Sequence, residues 1–406
     1  MKILIVTQYF FPENFKSNDL AFELQKRGHE VTVLTGIPNY PEGKIFEGYG
    51  IFKSRSQVMK GVKVKRAFLI PRGNGGGVRL LINYYSFALF ASIKAFFMGL
   101  NKKYDAIIVH EPSPIMQYYP AYLLNKIWKT PVYFWVMDLW PESLAVAGGI
   151  SNKFVLSYFT RVVVKFYTNA EKILITSKGF RESINNKGNF NEKIVYFPNW
   201  AEDSISEGNK DFPLPELPIG FKVMFAGNIG EAQDLDSIMQ AALQLRSDKN
   251  IKFVIVGDGR KMSFVKSFIA ENDLSETVFL LGRYPVEAMS SFFEKADVML
   301  VTLKNDPIFN LTVPAKLQAY MSASKPIIGM LNGEGAANIL EANCGFTVSA
   351  GDYDSLAKTI IKISKLSEDV LEELGNSSRL YYERNFRLSN CISNLELILQ
   401  QNQQNL

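Results

Sequence analysis

Cysteine and histidine are scarce in this chain of 406 residues, which has only Cys344, Cys391, His29 and His110. Two cysteines cannot form a disulfide framework, and the sequence has no CxxC motif or Cys/His cluster with zinc-binding spacing. We therefore expect a protein of the reducing cytoplasm that requires no metal.

Several catalytic motifs are also absent, namely GxxxxGK[ST], HExxH, GxSxG and a strict GxGxxG. These absences argue against P-loop nucleotide hydrolysis, zinc proteolysis and serine hydrolysis, and they weaken a dinucleotide-binding interpretation.

Long apolar runs are missing as well. The opening MKILIVTQYF has only four consecutive apolar residues, which predicts a first β-strand and not a signal peptide. The most apolar segment, residues 78–100, is interrupted by Arg79, Asn83 and Lys94. It falls short of the roughly 20 apolar residues of a spanning helix, so we predict no transmembrane segment. Two interpretations stay open, a helix lying in a membrane interface and a core helix of the first domain.

Acidic residues are unevenly distributed. Residues 1–200 contain 26 Lys and Arg against 13 Asp and Glu, whereas residues 201–406 contain 19 against 27. Between Glu47 and Asp105 there are eleven basic residues and no acid. Such a surface attracts phosphate groups, whether of nucleic acid, lipid or a soluble metabolite.

Short apolar runs alternate with helix-length amphipathic segments, a pattern typical of parallel α/β sheets. Together with the length, this predicts two doubly wound domains that face each other, with ligands in the cleft beyond the carboxyl ends of the strands. We assign the first domain to residues 1–200, a proline-containing linker to 201–220, the second domain to 221–375 and a helical segment to 376–406.

Three polar residues of the first domain follow buried strands. His110 follows AIIV, and is either a hydrogen-bonding or acid–base group or a partly buried structural histidine. Asp138 ends VYFWVMD and is either a catalytic carboxylate or a helix N-cap. Glu142 follows one turn later and is a second candidate catalytic carboxylate. His29, on a helix-to-strand turn, is expected to be structural.

Two glycine-bearing turns of the second domain, AGNIGE (226–231) and VGDGRK (256–261), are suited to hold an anion at a helix start. Lys316 follows Pro314 in a first helical turn, where a cation opposes the helix dipole unless a phosphate binds there. The alternative is a solvent-exposed lysine. The DxD formed by Asp234 and Asp236 is interpreted as a structural helix start.

Ordered motifs along nearly the whole chain resemble the retaining GT-B glycosyltransferases of family 4. They are KRGHEVTVLTG, ITSKGFRE with FPNW, FVIVGDGR, VFLLGRYPVEAMSSFFEKADVMLV and KLQAYMSASKPIIG. Within the family, QYFFPENFKSNDLA and GIPNYPEGKIFEGYG are most similar to bacterial O-antigen and capsule enzymes of the L-fucosaminyltransferase type.

The resemblance implies a GT-B fold of two Rossmann-like domains, with the C-terminal helical segment returning to the first. It implies a UDP-sugar donor in the second domain and the acceptor in the first. His110 would contact the donor sugar, and Asp138 would be a cleft acid near the acceptor; Glu142 remains a further catalytic candidate. The residues implied for the donor are Gly227, Asn228, Gly230, Gly257, Arg283, Tyr284, Lys316 and Gln318.

The chain also departs from the family pattern. PENFKSN replaces the paired glycines of the first loop, and Gln233 and Asp234 stand where an Arg/Lys pair is usual. The two family glutamates correspond to Asn310 and Gln318. These changes leave Lys316 or Lys304 to compensate.

The expected activity is metal-independent, retaining transfer of an N-acetylated deoxyhexose such as L-FucNAc to a polyprenyl-diphosphate-linked glycan, without a cofactor. The basic first domain, including Lys60, Lys63, Lys65 and Arg66, is expected to place the protein on the anionic inner face of the cytoplasmic membrane. The alternatives are a nucleotide-sugar epimerase of the same architecture and a non-catalytic anion- or nucleic-acid-binding protein, although no nucleic-acid-binding motif is present.

Overall fold

The computed structural model describes residues 1–146, 149–201, 205 and 212–401. The chain divides into two compact units, one formed by Met1–Phe197 with Ile392–Leu406 and the other by Pro198–Cys391. Much of the expected linker, 201–220, lies outside the described residues. Both units are Rossmann-like α/β domains, as expected of a GT-B fold.

The first unit is built on an eight-stranded sheet with the order β3-β4-β2-β1-β5-β6-β7-β8. Its apolar strands are almost wholly buried because helices cover a parallel sheet on both faces. The exception to the parallel arrangement is β3, which pairs antiparallel with β4 at the edge. The strands are β1 Lys2–Val6, β2 Glu30–Gly36, β3 Ser56–Met59, β4 Val62–Ala67, β5 Ala106–Glu111, β6 Val132–Val136, β7 Lys172–Ile175 and β8 Ile194–Tyr196.

The helices of this unit follow the predicted alternation. They are α1 Lys16–Lys26, α2 Gly77–Asn101, α3 Tyr119–Trp128, α4 Glu142–Val146, α5 Lys153–Asn169 and α6 Phe180–Asn185. By length and composition, α2 is the helix of the described residues that is long and apolar enough to cross a membrane, although 33% of its most apolar stretch is buried within the protein.

The second unit has a six-stranded parallel sheet with the order β11-β10-β9-β12-β13-β14. Its strands are β9 Phe221–Ala226, β10 Ile251–Val256, β11 Val278–Gly282, β12 Val298–Thr302, β13 Ile327–Met330 and β14 Gly345–Val348. Its helices are α7 Leu235–Gln244, α8 Met262–Glu271, α9 Met289–Lys295, α10 Pro307–Asn310, α11 Ala315–Ser322, α12 Gly333–Glu341, α13 Tyr353–Ile363 and α14 Glu368–Asn385.

The last two helices belong to different units. Within the second unit, α14 packs closely: Arg379 Nη1 donates to the carbonyl of Ser322 at 2.5 Å. The following helix, α15 Leu388–Gln401, joins the first unit from Ile392 onward. There Glu396 contacts His29 Nε2 at 2.7 Å, which gives His29 the structural role expected of it. The boundary placed at residue 376 is therefore too early, because α14 remains with the second sheet.

Each sheet has one point at which the strand order reverses. It lies between β1 and β5 in the first unit and between β9 and β12 in the second. In open α/β sheets, ligands bind beyond the carboxyl ends of the strands at this switch point. The residues that follow these strands are therefore the first place to look for a site.

Candidate active site

Two turns of the second unit pack backbone against backbone. Gly227 N donates to Val256 O at 2.8 Å, and Ile229 N donates to Asp258 O at 2.9 Å. Gly227 and Gly257 have φ angles of 130° and 144°, and a Cβ on Gly257 would lie 1.9 Å from Gly227 O. Only glycine fits at residue 257, so the close approach of the turns explains these glycines without reference to a ligand.

Lys316 lies beside the Gly227 turn. A Cβ on Gly227 would lie 2.7 Å from Lys316 Cε. Lys316 Nζ donates to Gln233 Oε1 at 2.7 Å and lies 3.6 Å from the centroid of the Phe225 ring. The side chain is enclosed, so the interpretation of Lys316 as a solvent-exposed lysine is wrong.

Lys316 has no acidic partner among the described residues within ion-pair distance. Burial lowers its pKa from 10.5 to about 7. It also occupies the first turn of α11, whose dipole disfavours a cation. A buried cation is unfavourable without a counter-charge, and a bound phosphate next to Gly227 would supply one. This arrangement defines the strongest anion-site candidate of the second unit.

The other lysines near the switch point have acidic partners. Glu231 pairs with Lys304 at 2.9 Å and with Lys261 at 3.3 Å, and Lys261 also pairs with Asp236 at 3.3 Å. The two lysines lower the pKa of Glu231. The charge of Lys304 is therefore already balanced by Glu231. The DxD pair has the structural role expected of it, because Asp234 precedes α7 with a φ of 49° and Asp236 binds Lys261.

Three further donor-site candidates have different surroundings. Gln318 is buried and, with its amide oriented to satisfy its neighbours, donates to Pro314 O and Ala315 O at 3.2 and 3.1 Å. Its expected ligand contact is wrong for this structure, because the amide is turned back onto its own helix. Tyr284 packs edge-on against Phe292 at 4.7 Å, and Arg283 is exposed after the outermost strand, β11.

Asn228 and Gly230 complete the first turn. Asn228 is exposed, and a Cβ on Gly230 would lie 2.5 Å from Asn228 Nδ2. Within the turn, Gly227 is the residue that lies against Lys316, and the roles of Asn228 and Gly230 in donor binding stay predictions. Asn310 and Gln233 are polar replacements for charged family residues, and Gln233 is the one that contacts Lys316.

At the switch point of the first unit, His110 is fully buried. It lies within β5, and its Nδ1 is 3.3 Å from Thr7 Oγ1 at the end of β1. Its ring packs 4.8 Å from Trp135. Burial, with a smaller contribution from the positive charge of Lys16, lowers its pKa to about 3. The expectation of a histidine open to ligand is therefore corrected: His110 is a neutral, enclosed group.

Glu111 is the residue of this switch point that the sequence interpretation overlooked. It is fully buried at the end of β5, and burial raises its pKa well above 4.5, with the charge of Asp138 adding to the effect. Burial likewise raises the pKa of Asp138 to about 6, while the Ser143 hydroxyl and the Leu139 amide act in the opposite direction. The edge of the sheet thus holds two carboxyl groups, Glu111 and Asp138, whose pKa values burial raises.

Glu142 begins α4 and is engaged by α6. It forms an ion pair with Lys187 Nζ, and Ser183 Oγ donates to its Oε1 at 2.9 Å. The Lys187 side chain is only 8% exposed. A carboxylate held in this way stabilises the packing of α4 against α6, which favours a structural role for Glu142 over the expected catalytic one.

An aromatic cluster also lies after β1 and β2. The rings of Tyr9 and Phe15 stack at 4.8 Å, Tyr40 lies 5.4 Å from each, and the Arg72 guanidinium is 4.8 Å from the Tyr40 ring. Nothing in the spacing of these residues predicted the cluster, because it joins three separate loops. Aromatic faces with a nearby cation are suited to contact sugar rings and phosphate.

The expected membrane-binding lysine and arginine cluster does not form one surface. Arg66 is fully buried and donates to the carbonyls of Phe11 at 2.5 Å and Gly36 at 3.3 Å. Lys63 pairs with Glu30 at 2.7 Å. Arg66 lies on the covered face of the sheet because alternate residues of β4 point to opposite faces, and Lys63 on the other face is paired with an acid, so two of the four expected charges are not free.

Comparison with known proteins assigns this architecture to a class. Residues 17–200 match the family described as glycosyl transferase 4-like domain, and residues 220–365 match glycosyl transferases group 1. The chain belongs to these GT-B glycosyltransferases, and it is a transferase enzyme.

Individual relatives agree with this assignment. A probable glycosyltransferase, WbjE, of Pseudomonas aeruginosa is 27% identical over 285 residues, which cover 68% of this chain and 69% of the relative. The putative colanic acid biosynthesis glycosyl transferase WcaI of Escherichia coli K12 is 25% identical over 78% of this chain and 80% of its own length. Among solved structures, Anabaena Alr3699/HepE in complex with UDP has a TM-score of 0.71 at 14% identity, covering 99% and 100% of the two chains.

Proposed function

We propose that this enzyme transfers a sugar from a UDP-sugar to a lipid-linked glycan during bacterial surface-polysaccharide synthesis. The observation that carries the donor assignment is Lys316, a half-buried lysine beside the Gly227 turn that has no carboxylate partner within the part of the chain that the structure describes. Structures of the same fold have been solved with UDP and with UDP-glucose, and WcaI is named for colanic acid biosynthesis. These names support the proposed substrate class.

In the proposed reaction, the bond between the sugar C1 and the diphosphate oxygen breaks, and a bond to the acceptor oxygen forms on the same face of the sugar. Lys316, beside the Gly227 turn, stabilises the negative charge on the departing diphosphate, a role that does not require a metal ion. Asp138, with a pKa of about 6, is ionised at neutral pH and accepts a hydrogen bond from the acceptor hydroxyl. As the new bond forms, the hydroxyl proton passes to Asp138, and UDP departs with the electron pair of the broken bond.

The finer assignment is an N-acetylated deoxyhexose such as L-FucNAc, and it rests on the subgroup motifs QYFFPENFKSNDLA and GIPNYPEGKIFEGYG. A thermal-shift screen of UDP-sugars would identify the donor, and turnover with a polyprenyl-diphosphate-linked sugar would test the acceptor class. Proton NMR of the product reports whether the anomeric configuration is retained. Absence of any shift with UDP or UDP-sugars would refute the donor assignment.

Metal independence has its own test. We expect full turnover in EDTA, because the positive charge of Lys316 takes the place of a metal ion at the diphosphate. Loss of turnover in EDTA that magnesium restores would refute this part of the proposal.

The epimerase alternative gains no support, since the matched families and the relatives cited are glycosyltransferases. Incubation with UDP-sugar alone separates the two activities, because an epimerase converts its substrate without an acceptor. We further propose a peripheral location at the inner face of the cytoplasmic membrane, where a lipid-linked acceptor and a soluble nucleotide-sugar meet.

A further inference from the structure

Helix α2 has an inner face packed against the first unit and an outer face open to solvent. Ala91, Ala95 and Gly99 on the inner face are buried, and a Cβ on Gly99 would lie 2.7 Å from the Trp128 ring. The outer face carries exposed large apolar residues at intervals of three and four, which forms one continuous stripe. These residues are Val78, Ile82, Tyr85, Leu89, Phe90, Ile93, Phe96, Phe97 and Leu100.

Neighbouring helices extend this stripe. The hydroxyl groups of Tyr85 on α2 and Tyr158 on α5 are 3.3 Å apart, so the two helices adjoin. Phe154, one turn before Tyr158, is 88% exposed, and Ile127 on α3 is also exposed. We call the exposed apolar residues of α2 together with Ile127, Phe154 and Tyr158 the apolar face. A contiguous exposed surface of this kind marks an interaction site.

The charges around the apolar face have a single sign. Helices α2, α3 and α5 contain no aspartate or glutamate. The Nζ atoms of Lys126 on α3 and Lys165 on α5 lie 5.4 and 4.2 Å from the centroid of the Tyr122 ring, so both cations gather at one place between these helices. The exposed charged residues of the three helices are Arg79, Lys126, Lys153, Arg161 and Lys165.

We infer that the apolar face docks on an anionic lipid bilayer, with α2 lying in the plane of the headgroups. Apolar and aromatic side chains would enter the acyl boundary while the basic residues meet lipid phosphates. The inner face of α2 is committed to the domain core, which favours a helix lying on the membrane over one that crosses it. A second copy of the chain fits less well, because two identical basic borders would repel each other. The inference deepens the proposed function by naming the surface that brings the enzyme to a lipid-linked acceptor.

Vesicle co-sedimentation tests this inference with a matched pair of variants. Leu89 and Ile93 are 58% and 48% exposed, so Leu89→Asp/Ile93→Asp leaves the core intact. We expect this variant to bind vesicles of phosphatidylglycerol and phosphatidylcholine at least about 10-fold more weakly than the unmodified protein. Leu397→Asp, at a residue 57% exposed on α15 of the same unit, is the control and should bind normally.

A second set of variants tests the charge requirement. Replacing Lys126, Arg161 and Lys165 by glutamine should weaken binding to the phosphatidylglycerol vesicles by about fivefold for each charge. The same change should have little effect with pure phosphatidylcholine. Unchanged binding of both sets of variants, or no binding by the unmodified protein, would overturn the inference. So would a dimer in analytical ultracentrifugation that Leu89→Asp/Ile93→Asp dissolves without affecting vesicle binding.

Docking and catalysis are separable in these experiments. The thermal shift with UDP should be equal in the unmodified protein and in Leu89→Asp/Ile93→Asp, because the donor candidates lie in the second unit. Vesicle binding without a UDP shift would refute the proposed function and leave the docking inference standing. A UDP shift without vesicle binding would refute the docking inference and leave the proposed function standing. Resistance of the bound protein to carbonate extraction would contradict a helix lying in the headgroup plane.

Discussion

Replacing Lys316 by methionine provides the most direct test of the donor site. Methionine has a similar length and keeps the contact with Phe225, but it removes the charge that faces the Gly227 turn. A hydrogen bond to a charged group contributes about 1.5–3 kcal/mol, which corresponds to a loss of about 10- to 150-fold in UDP affinity. The variant should remain folded, because it relieves the burial of a cation.

The pH dependence makes the test sharper. Since burial lowers the Lys316 pKa to about 7, the free protein holds this proton below that pH and releases it above. UDP favours the ammonium form, so its affinity should be constant below pH 7 and should weaken above it by at most about tenfold per unit. In the unfolded chain the lysine keeps its proton up to its ordinary pKa of 10.5. This group therefore makes the free energy of unfolding rise as the pH increases from about 7 to 10.5.

Isothermal titration with UDP from pH 6 to 9 measures both effects. Lys304→Met is the matched control: Lys304 is paired with Glu231, so its loss should change UDP affinity by less than about threefold. The slope above pH 7 should vanish in Lys316→Met and persist in Lys304→Met. Equal UDP affinity in Lys316→Met and the unmodified protein would refute the assignment of Lys316 to the diphosphate.

Three further predictions concern the turns and the first-unit carboxylates. Gly257→Ala places a Cβ 1.9 Å from Gly227 O and should cost more than about 3 kcal/mol in urea denaturation, whereas Gly282→Ala, with no atom within 4 Å, should show only about 1–2 kcal/mol of backbone strain. Similar losses of stability in the two variants would mean that the close approach of residue 257 to Gly227 O is not what requires glycine there. Lys187→Met should lower the free energy of unfolding by about 1–3 kcal/mol, because it leaves the Glu142 carboxylate without its partner. Adding Glu142→Gln to Lys187→Met should restore part of this loss. Glu142→Gln alone should leave kcat per folded enzyme within about threefold of the unmodified protein. A hundredfold loss of kcat would instead make Glu142 catalytic. Finally, kcat/KM should fall as the pH drops below about 6, because Asp138 becomes protonated. Asp138→Asn should abolish this acidic limb of the pH profile, whereas His110→Phe should leave it unchanged. An acidic limb lost only in His110→Phe would reverse the two roles.

Most of the fold was predictable because buried parallel strands are short apolar runs flanked by turns. Two strands have no such signal because they are short and partly exposed: SQVM (β3) lies at a sheet edge, and GFTV (β14) has an intermediate exposure throughout. Neither has the continuous apolar character that marked the central strands. The doubly wound order, in turn, predicted which strand ends hold the candidate sites.

Individual site residues were less predictable because their partners are distant in sequence. Gly227 and Lys316 were identified from the helix and turn pattern alone. By contrast, the pairing of Glu142 with Lys187 and the burial of His110 beside Trp135 depend on packing between separate elements. Arg66 shows the same limit, since a strand residue of a basic run is buried whenever its side of the sheet is covered.

Asn83 fixes the rotation of α2 about its own axis. Its Nδ2 donates to Ile70 O at 2.6 Å, and its Oδ1 accepts from Gln8 Nε2 at 2.7 Å. A slip of one residue would turn the helix by about 100° and break both bonds. The same amide thus aligns the outward stripe with the end of β1, where Gln8 N also bonds Gln117 Oε1 at 2.7 Å. A force applied to α2 from outside would therefore reach the switch point of the first sheet directly through the Asn83 side chain.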